Sequence, residues 1–221
     1  MRQKTVRRTA LAVAAALIIT ALPATAGAAP QQIKRPNKDG SIPAKWDLPT
    51  PEIASDDSTP TAAGGIGDGT NSIQFGGFDD GDMLVAFPGS TFTGHAGIWK
   101  RSLYTNGIYS WCVWSANKTP VSKVQKEQAQ KYREYDYCYG IWVPTKYTYG
   151  LSVVNWCAAQ AGEPYDITSS KSDYSRWYCS KLPWAGWKVK TGLDLDHDGG
   201  TWVKPADLVN STKTSTFAYS E

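Results

Sequence analysis

The sequence predicts an α+β domain, an antiparallel sheet packed against helices. Two observations carry this. Four apolar or aromatic runs of strand length follow one another between 82 and 143, separated by turn residues. Two runs with helical spacing then follow, one ending near Gly162 and one opening at Cys179. Consecutive strands next to helices imply one sheet with helices laid against it.

The start of the chain reads differently. Residues 2–8 are basic, 9–22 are apolar, and small residues follow with A-x-A patterns at 24–26 and 26–28. This predicts a secretory signal peptide over 1–28, and hence an extracellular mature protein. No later segment is long and apolar enough to span a bilayer, so no integral membrane association is expected. Residues 29–72 are rich in Pro, Gly, Ser, Thr and Asp and read as a disordered or loosely docked arm. The folded domain is expected over 73–212, with 213–221 as a tail. Its length suits one core.

Removing the leader changes the charge argument. The chain carries +3, and the leader holds Arg2, Lys4, Arg7 and Arg8 with no acid, so +3 less four leaves −1 for the remainder. Nothing in that balance suits a polyanion, and no nucleic-acid partner is expected.

Each element has its own signal. The turn residues Asp79-Asp80-Gly81 precede a strand at 82–87 (DMLVAF). A second strand is expected at 95–100 (HAGIWK) and a third at 108–115 (IYSWCVWS). The polar stretch 123–132 reads as a short helix. A fourth strand at 137–143 (YCYGIWV) is stopped by Pro144. Residues 149–161 have helical spacing and end at Gly162, a C-cap residue type. The last helix runs 179–190, with Pro183 in its first turns, where proline is tolerated.

The chemistry-bearing residues are few. Cys179 stands at the start of that last helix, where the helix dipole favours the thiolate. His95 lies far upstream in Gly94-His95-Ala96-Gly97-Ile98, and its flanking glycines leave space for a substrate. A thiolate beside an imidazole is the pair a cysteine hydrolase needs. Of the four cysteines, Cys112 and Cys138 fall in strand-like aromatic stretches that a cross-strand disulfide could join, although sequence does not fix connectivity. Cys157 sits in a helix-like run and reads as a buried thiol. The acidic run Asp194-Leu195-Asp196-His197-Asp198-Gly199-Gly200 resembles a calcium loop, but its twelfth position is Pro205 and it reads as a structural turn. Ten tryptophans and twelve tyrosines are many for this length, and most are expected to build the core.

Several segments together resemble the permuted papain-like cysteine hydrolases, the YiiX/YebB-like group of the NlpC-type superfamily. They are Gly81-Asp82-Met83-Leu84, Gly94-His95-Ala96-Gly97-Ile98, Gly162-Glu163-Pro164-Tyr165-Asp166, Trp177-Tyr178-Cys179-Ser180-Lys181-Leu182-Pro183-Trp184, Gly192-Leu193-Asp194-Leu195-Asp196 and Val203-Lys204-Pro205-Ala206-Asp207-Leu208. The resemblance implies a circularly permuted papain-like fold, with His95 as base and Cys179 as nucleophile. It places the third polar residue on the strand after the histidine strand, which here is Ser115. It also implies that Tyr165 could serve the oxyanion or the pocket. Trp177 and Tyr178, next to the nucleophile, are expected to line the groove. The implied activity is a cysteine peptidase or amidase acting on peptide-like, cell-wall substrates, as a monomer, with no cofactor and no metal. Two alternatives use the same fold: a lipid thioesterase or acyltransferase, and a non-catalytic wall- or glycan-binding module.

Overall fold

The computed structural model describes residues 71–88, 94–105 and 110–221. The expected signal peptide and all but the last two residues of the expected arm lie outside them. Six strands form one antiparallel sheet in the order β4-β3-β2-β1-β5-β6. They are β1 (Met83–Phe87), β2 (His95–Trp99), β3 (Val113–Asn117), β4 (Lys123–Glu127), β5 (Tyr137–Trp142) and β6 (Ser215–Ser220). Three helices accompany them: α1 (Gly150–Ala159), α2 (Lys181–Thr191) and α3 (Pro205–Asn210). Among the described residues no helix is long and apolar enough to cross a membrane.

Both faces of the sheet are covered, which explains its central strands. Every residue of β1 and β2 is buried. Such strands read as continuous apolar runs and not as alternation. Met83, Val85, Ile98 and Ile141 pack with Val153, Leu182, Trp184 and Trp187 of α1 and α2. Leu84, Trp99, Val113 and Trp142 pack on the other face with Ile73, Phe75, Phe78 and Tyr132. Gly81 opens β1 with φ +87, a backbone angle that disfavours any side chain. The turn before it packs on Gly150, where an added Cβ would strike the Asp80 carbonyl.

Several expectations change. The stretch 123–132 is not a helix: it is β4 followed by a short 3-10 turn, Ala129–Glu134. β4 is an edge strand, and edge strands carry charge that blunts further pairing, which hides their alternation. The third strand begins at Val113, five residues later than expected. Helix α2 begins at Lys181, with Ser180 as its N-cap, so Cys179 stands just ahead of it. α3 was not anticipated.

The expected tail at 213–221 is β6, the edge strand beside β5. Phe217 sets its ring 4.8 Å from Phe78, which in turn stands 4.9 Å from Trp99. The expected arm also ends within the domain, since Asn71 Nδ2 donates to the Tyr132 carbonyl at 2.8 Å and Ser72 N–H to Ser220 Oγ at 2.7 Å.

The Cys112–Cys138 bridge does not form; both thiols are free and buried. Cys112 precedes β3 and Cys138 lies on β5, and β2 and β1 run between those strands. Three strand spacings come to about 14 Å, twice the Cα separation of about 7 Å beyond which a disulfide cannot close. Cys157 and Cys179 are free as well.

Two outcomes follow. Unfolded without reductant, the protein takes four alkyl groups in mass spectrometry; two would restore the bridge. Phe217→Ala lowers stability by about 3–5 kcal/mol in chemical denaturation, whereas a dangling tail would leave it unchanged.

Candidate active site

The site begins with strand period. Alternate residues share a face, so Val113, Ser115 and Asn117 stand together on β3. The register sets Val113 directly opposite Glu127 of β4. Glu127 therefore lies on the face that carries Ser115, at the edge of the sheet. His95 opens β2, the neighbour of β3. Its Nε2 meets Glu127 Oε2 at 2.8 Å and Ser115 Oγ at 3.2 Å. That leaves Nδ1 for Cys179, which is near enough for thiol and imidazole to shift each other's titration and whose Sγ lies 3.9 Å from the Gly94 carbonyl. Residues 95, 127 and 179 thus form one line, Cys179–His95–Glu127.

Glu127 is 2 % exposed, and a carboxylate buried so deeply needs donors on all sides. It has them. Besides the imidazole, Tyr132 Oη donates to Oε2 at 3.2 Å and Asn117 Nδ2 donates to Oε1. Burial alone would raise its pKa, but the His95 charge and these donors outweigh burial and hold the carboxyl down at about 2.

His95 responds in kind. Burial pulls it down, but the Glu127 charge prevails and the imidazole is held well above its ordinary value. For Cys179, burial pushes the thiol up, while the hydrogen bond and charge of His95, the Ala96 N–H and the Ser180 side chain outweigh that and leave it lowered. Both shifts run toward the charged forms, thiolate and imidazolium. Cys179 and His95 are each 8 % exposed, so the pair reaches solvent where Glu127 does not.

The cysteine is held from behind. Ser180 Oγ donates to the Val203 carbonyl at 2.6 Å, and the Val203 N–H donates to Tyr178 Oη at 3.1 Å. The first helical hydrogen bond runs from Leu182 N–H to the Tyr178 carbonyl. The N–H groups of 179–181 therefore have no acceptor within the helix and are available to an anion.

Aromatic rings wall the imidazole. Tyr135 stacks on His95 at 6.3 Å and 10°, and Tyr132 is tilted against it at 5.3 Å. Gly97 lets Tyr132 approach, since an added Cβ would strike both its hydroxyl and the Val113 side chain. Beside Gly94, a Cβ would meet the Ala86 carbonyl and the Phe87 ring. The glycines flanking His95 thus make room for the protein's own groups, not for a substrate.

The remaining expected residues divide. Ser115 does touch His95, yet the carboxylate of the line comes from Glu127, one strand further on. Trp177 and Tyr178 do not line a groove. Trp177 is fully buried, its ring edge-on to Trp156 and Tyr174, and its indole N–H donates to Glu163. Tyr178 is 1 % exposed, with its hydroxyl spent on Val203. Tyr165 is partly buried and close enough to Cys179 for the sulfur's charge to help raise its hydroxyl, after burial itself. Glu127 is hidden in the sequence, because the polar stretch 123–132 has no strand alternation to place it on a sheet. The turn residues Asn117-Lys118-Thr119-Pro120 were the available signal, since they mark a hairpin whose register brings Glu127 opposite Val113.

No known family profile matches the chain. It is similar to the uncharacterized protein YycO of Bacillus subtilis (strain 168), 31 % identical over 70 residues. That match takes in 29 % of this chain and 28 % of YycO, so less than a third of the relative's length is spanned. Among solved structures it is similar to the metalloprotein YiiX from Escherichia coli O157:H7, a DUF1105 protein. The TM-score is 0.47 and the identity 14 %, covering 62 % of this chain and 95 % of YiiX.

Glu127→Gln removes the charge that lifts His95. The imidazole titration, followed by NMR, is expected to move to lower pH. The acid limb of iodoacetamide labelling at Cys179, which tracks thiolate formation, is expected to move to higher pH. Limbs that stay in place would deny Glu127 any electrostatic part.

Proposed function

We propose that this chain is an exported cysteine hydrolase of permuted papain-like fold, cleaving amide bonds in peptide-like substrates of the cell wall. The observation that carries the reading is the line Cys179–His95–Glu127: a buried carboxylate hydrogen-bonded to the imidazole at 2.8 Å, with the thiol close enough on the other side to feel its charge. Its chain order, histidine strand before cysteine helix, agrees with the permuted arrangement. The cell-wall substrate rests on the export expected from the leader.

Each step has a group to perform it. The Cys179 thiolate attacks the carbonyl carbon. The oxygen that gains charge is met by the N–H of Cys179 and its neighbours ahead of α2, with the Tyr165 hydroxyl as a side-chain donor. The tetrahedral intermediate collapses, the leaving amine takes the proton of His95 Nδ1, and an acyl-enzyme remains. Neutral His95 then draws a proton from water, whose oxygen attacks the thioester and releases the acid. Glu127 keeps Nε2 protonated throughout, so Nδ1 is the nitrogen that trades protons.

Ser115, read alone as the third residue, leaves the imidazolium without a countercharge and favours a non-catalytic binding module. Glu127 supplies that charge and removes the motive for such a reading. The lipid thioesterase alternative shares the chemistry and differs in substrate.

The test incubates wild type, Cys179→Ser and His95→Ala with purified peptidoglycan and a panel of peptide amides, with products read by mass spectrometry. Wild type is expected to cleave at least one amide, Cys179→Ser none, and His95→Ala on the order of 100-fold more slowly or worse. Turnover of thioesters with every amide left intact would move the reading to lipid substrates.

A further inference from the structure

The loop between α2 and α3 gathers carboxylates that the proposed hydrolysis does not use. Asp194 is engaged locally, since its Oδ1 accepts the Trp184 indole N–H at 2.7 Å and its Oδ2 the Lys188 ammonium at 2.8 Å. Asp196, Asp198 and Asp207 are arranged differently. One oxygen from each lies within 4.8 Å of the others. Calcium binds oxygen at about 2.3–2.6 Å, so one ion can touch all three.

Asp207 is the informative member. It comes from the first turn of α3, not from the loop, and it is fully buried. Its Oδ2 accepts the Lys204 N–H at 2.6 Å, while its Oδ1, also buried, has no hydrogen-bond partner. An orphaned oxygen on a buried carboxylate is costly unless a positive centre meets it.

The loop is already shaped. Asp196 Oδ1 accepts the Gly199 N–H at 3.3 Å, and Asp198 Oδ1 the Gly200 N–H at 2.8 Å. The Lys171 ammonium rests on Asp196 Oδ2 and the Gly200 carbonyl. Lys204 Nζ stands 3.2 Å from Asp198 Oδ2. Three carboxylates thus face two ammonium groups, and Lys171 marks a place where positive charge is welcome. An EF-hand loop would put its bidentate acid at the position of Pro205. Here the outlying carboxylate is Asp207, two residues further on.

We propose that Asp196, Asp198 and Asp207, with the Gly200 carbonyl, form a calcium site in which the ion replaces the Lys171 ammonium. All-oxygen donors in an irregular arrangement suit calcium better than magnesium, which demands stricter octahedral geometry. The site sits behind the nucleophile in a definite sense. Val203, between the loop and α3, holds both Tyr178 and Ser180, the neighbours of Cys179. A bound ion braces that peg.

The test follows calcium binding to the EDTA-stripped full chain by calorimetry and thermal unfolding, with magnesium as comparison. Calcium at a hundredfold excess over its Kd is expected to raise Tm by about 5–10 °C. Asp207→Asn is expected to abolish the shift; should that variant fail to fold, Asp198→Asn at an exposed position gives the same readout. Lys171→Met removes the competing ammonium and is expected to tighten binding by about tenfold. No heat and no Tm shift with wild type at millimolar calcium would overturn the proposal. So would a shift that survives both aspartate substitutions, or weaker binding by Lys171→Met. None of these readouts depends on hydrolysis.

Discussion

A single buried carboxylate constrains the site. Glu127 is almost wholly removed from water, yet its surroundings hold it ionised. That is tolerable only because three side chains, Tyr132, Asn117 and His95, donate to it. The charge on Glu127 therefore sets the charge on His95, and His95 in turn sets that of Cys179. The titration of the sulfur is thus biased by an acid that never meets it. The sheet exists, in this sense, to bring β2, β3 and β4 into register at one end.

The remainder of the fold protects this arrangement. Tyr132 and Tyr135 wall the imidazole. Helix α2 packs on α1 and on β2 and β3, which fixes where its first turn lies. The Val203 contacts then fix the backbone on either side of the cysteine. Each side chain in the line is thus held by a different part of the chain: a central strand, an edge strand and the start of a helix.

Much of this was legible in the residues. Strands β1, β2 and β5 and helices α1 and α2 announced themselves by apolar runs and helical spacing, because they are buried on most sides. His95 and Cys179 stood out through their local setting. What escaped notice was at the periphery. β4 has only Val124 as a large apolar residue, and an edge strand so rich in Lys and Gln gives no period for the eye to follow. β6 is polar at Ser215, Thr216 and Ser220 and resembles a tail in sequence, although Phe217 drops into the core. Aromatic residues misled in the other direction. Trp177 and Tyr178 adjoin Cys179 in sequence, but their rings turn inward, since adjacency along a chain says little about which way a side chain faces.

The four thiols differ sharply in their surroundings. Burial drives the thiols of Cys112, Cys138 and Cys157 upward, Cys112 to about 12, and prevails even at Cys138, where the Arg133 charge opposes it; only at Cys179 is burial outweighed. The four sulfurs are therefore unequal by construction: the folded sheet withholds three of them from ionisation and leaves only the one beside His95 tilted the other way.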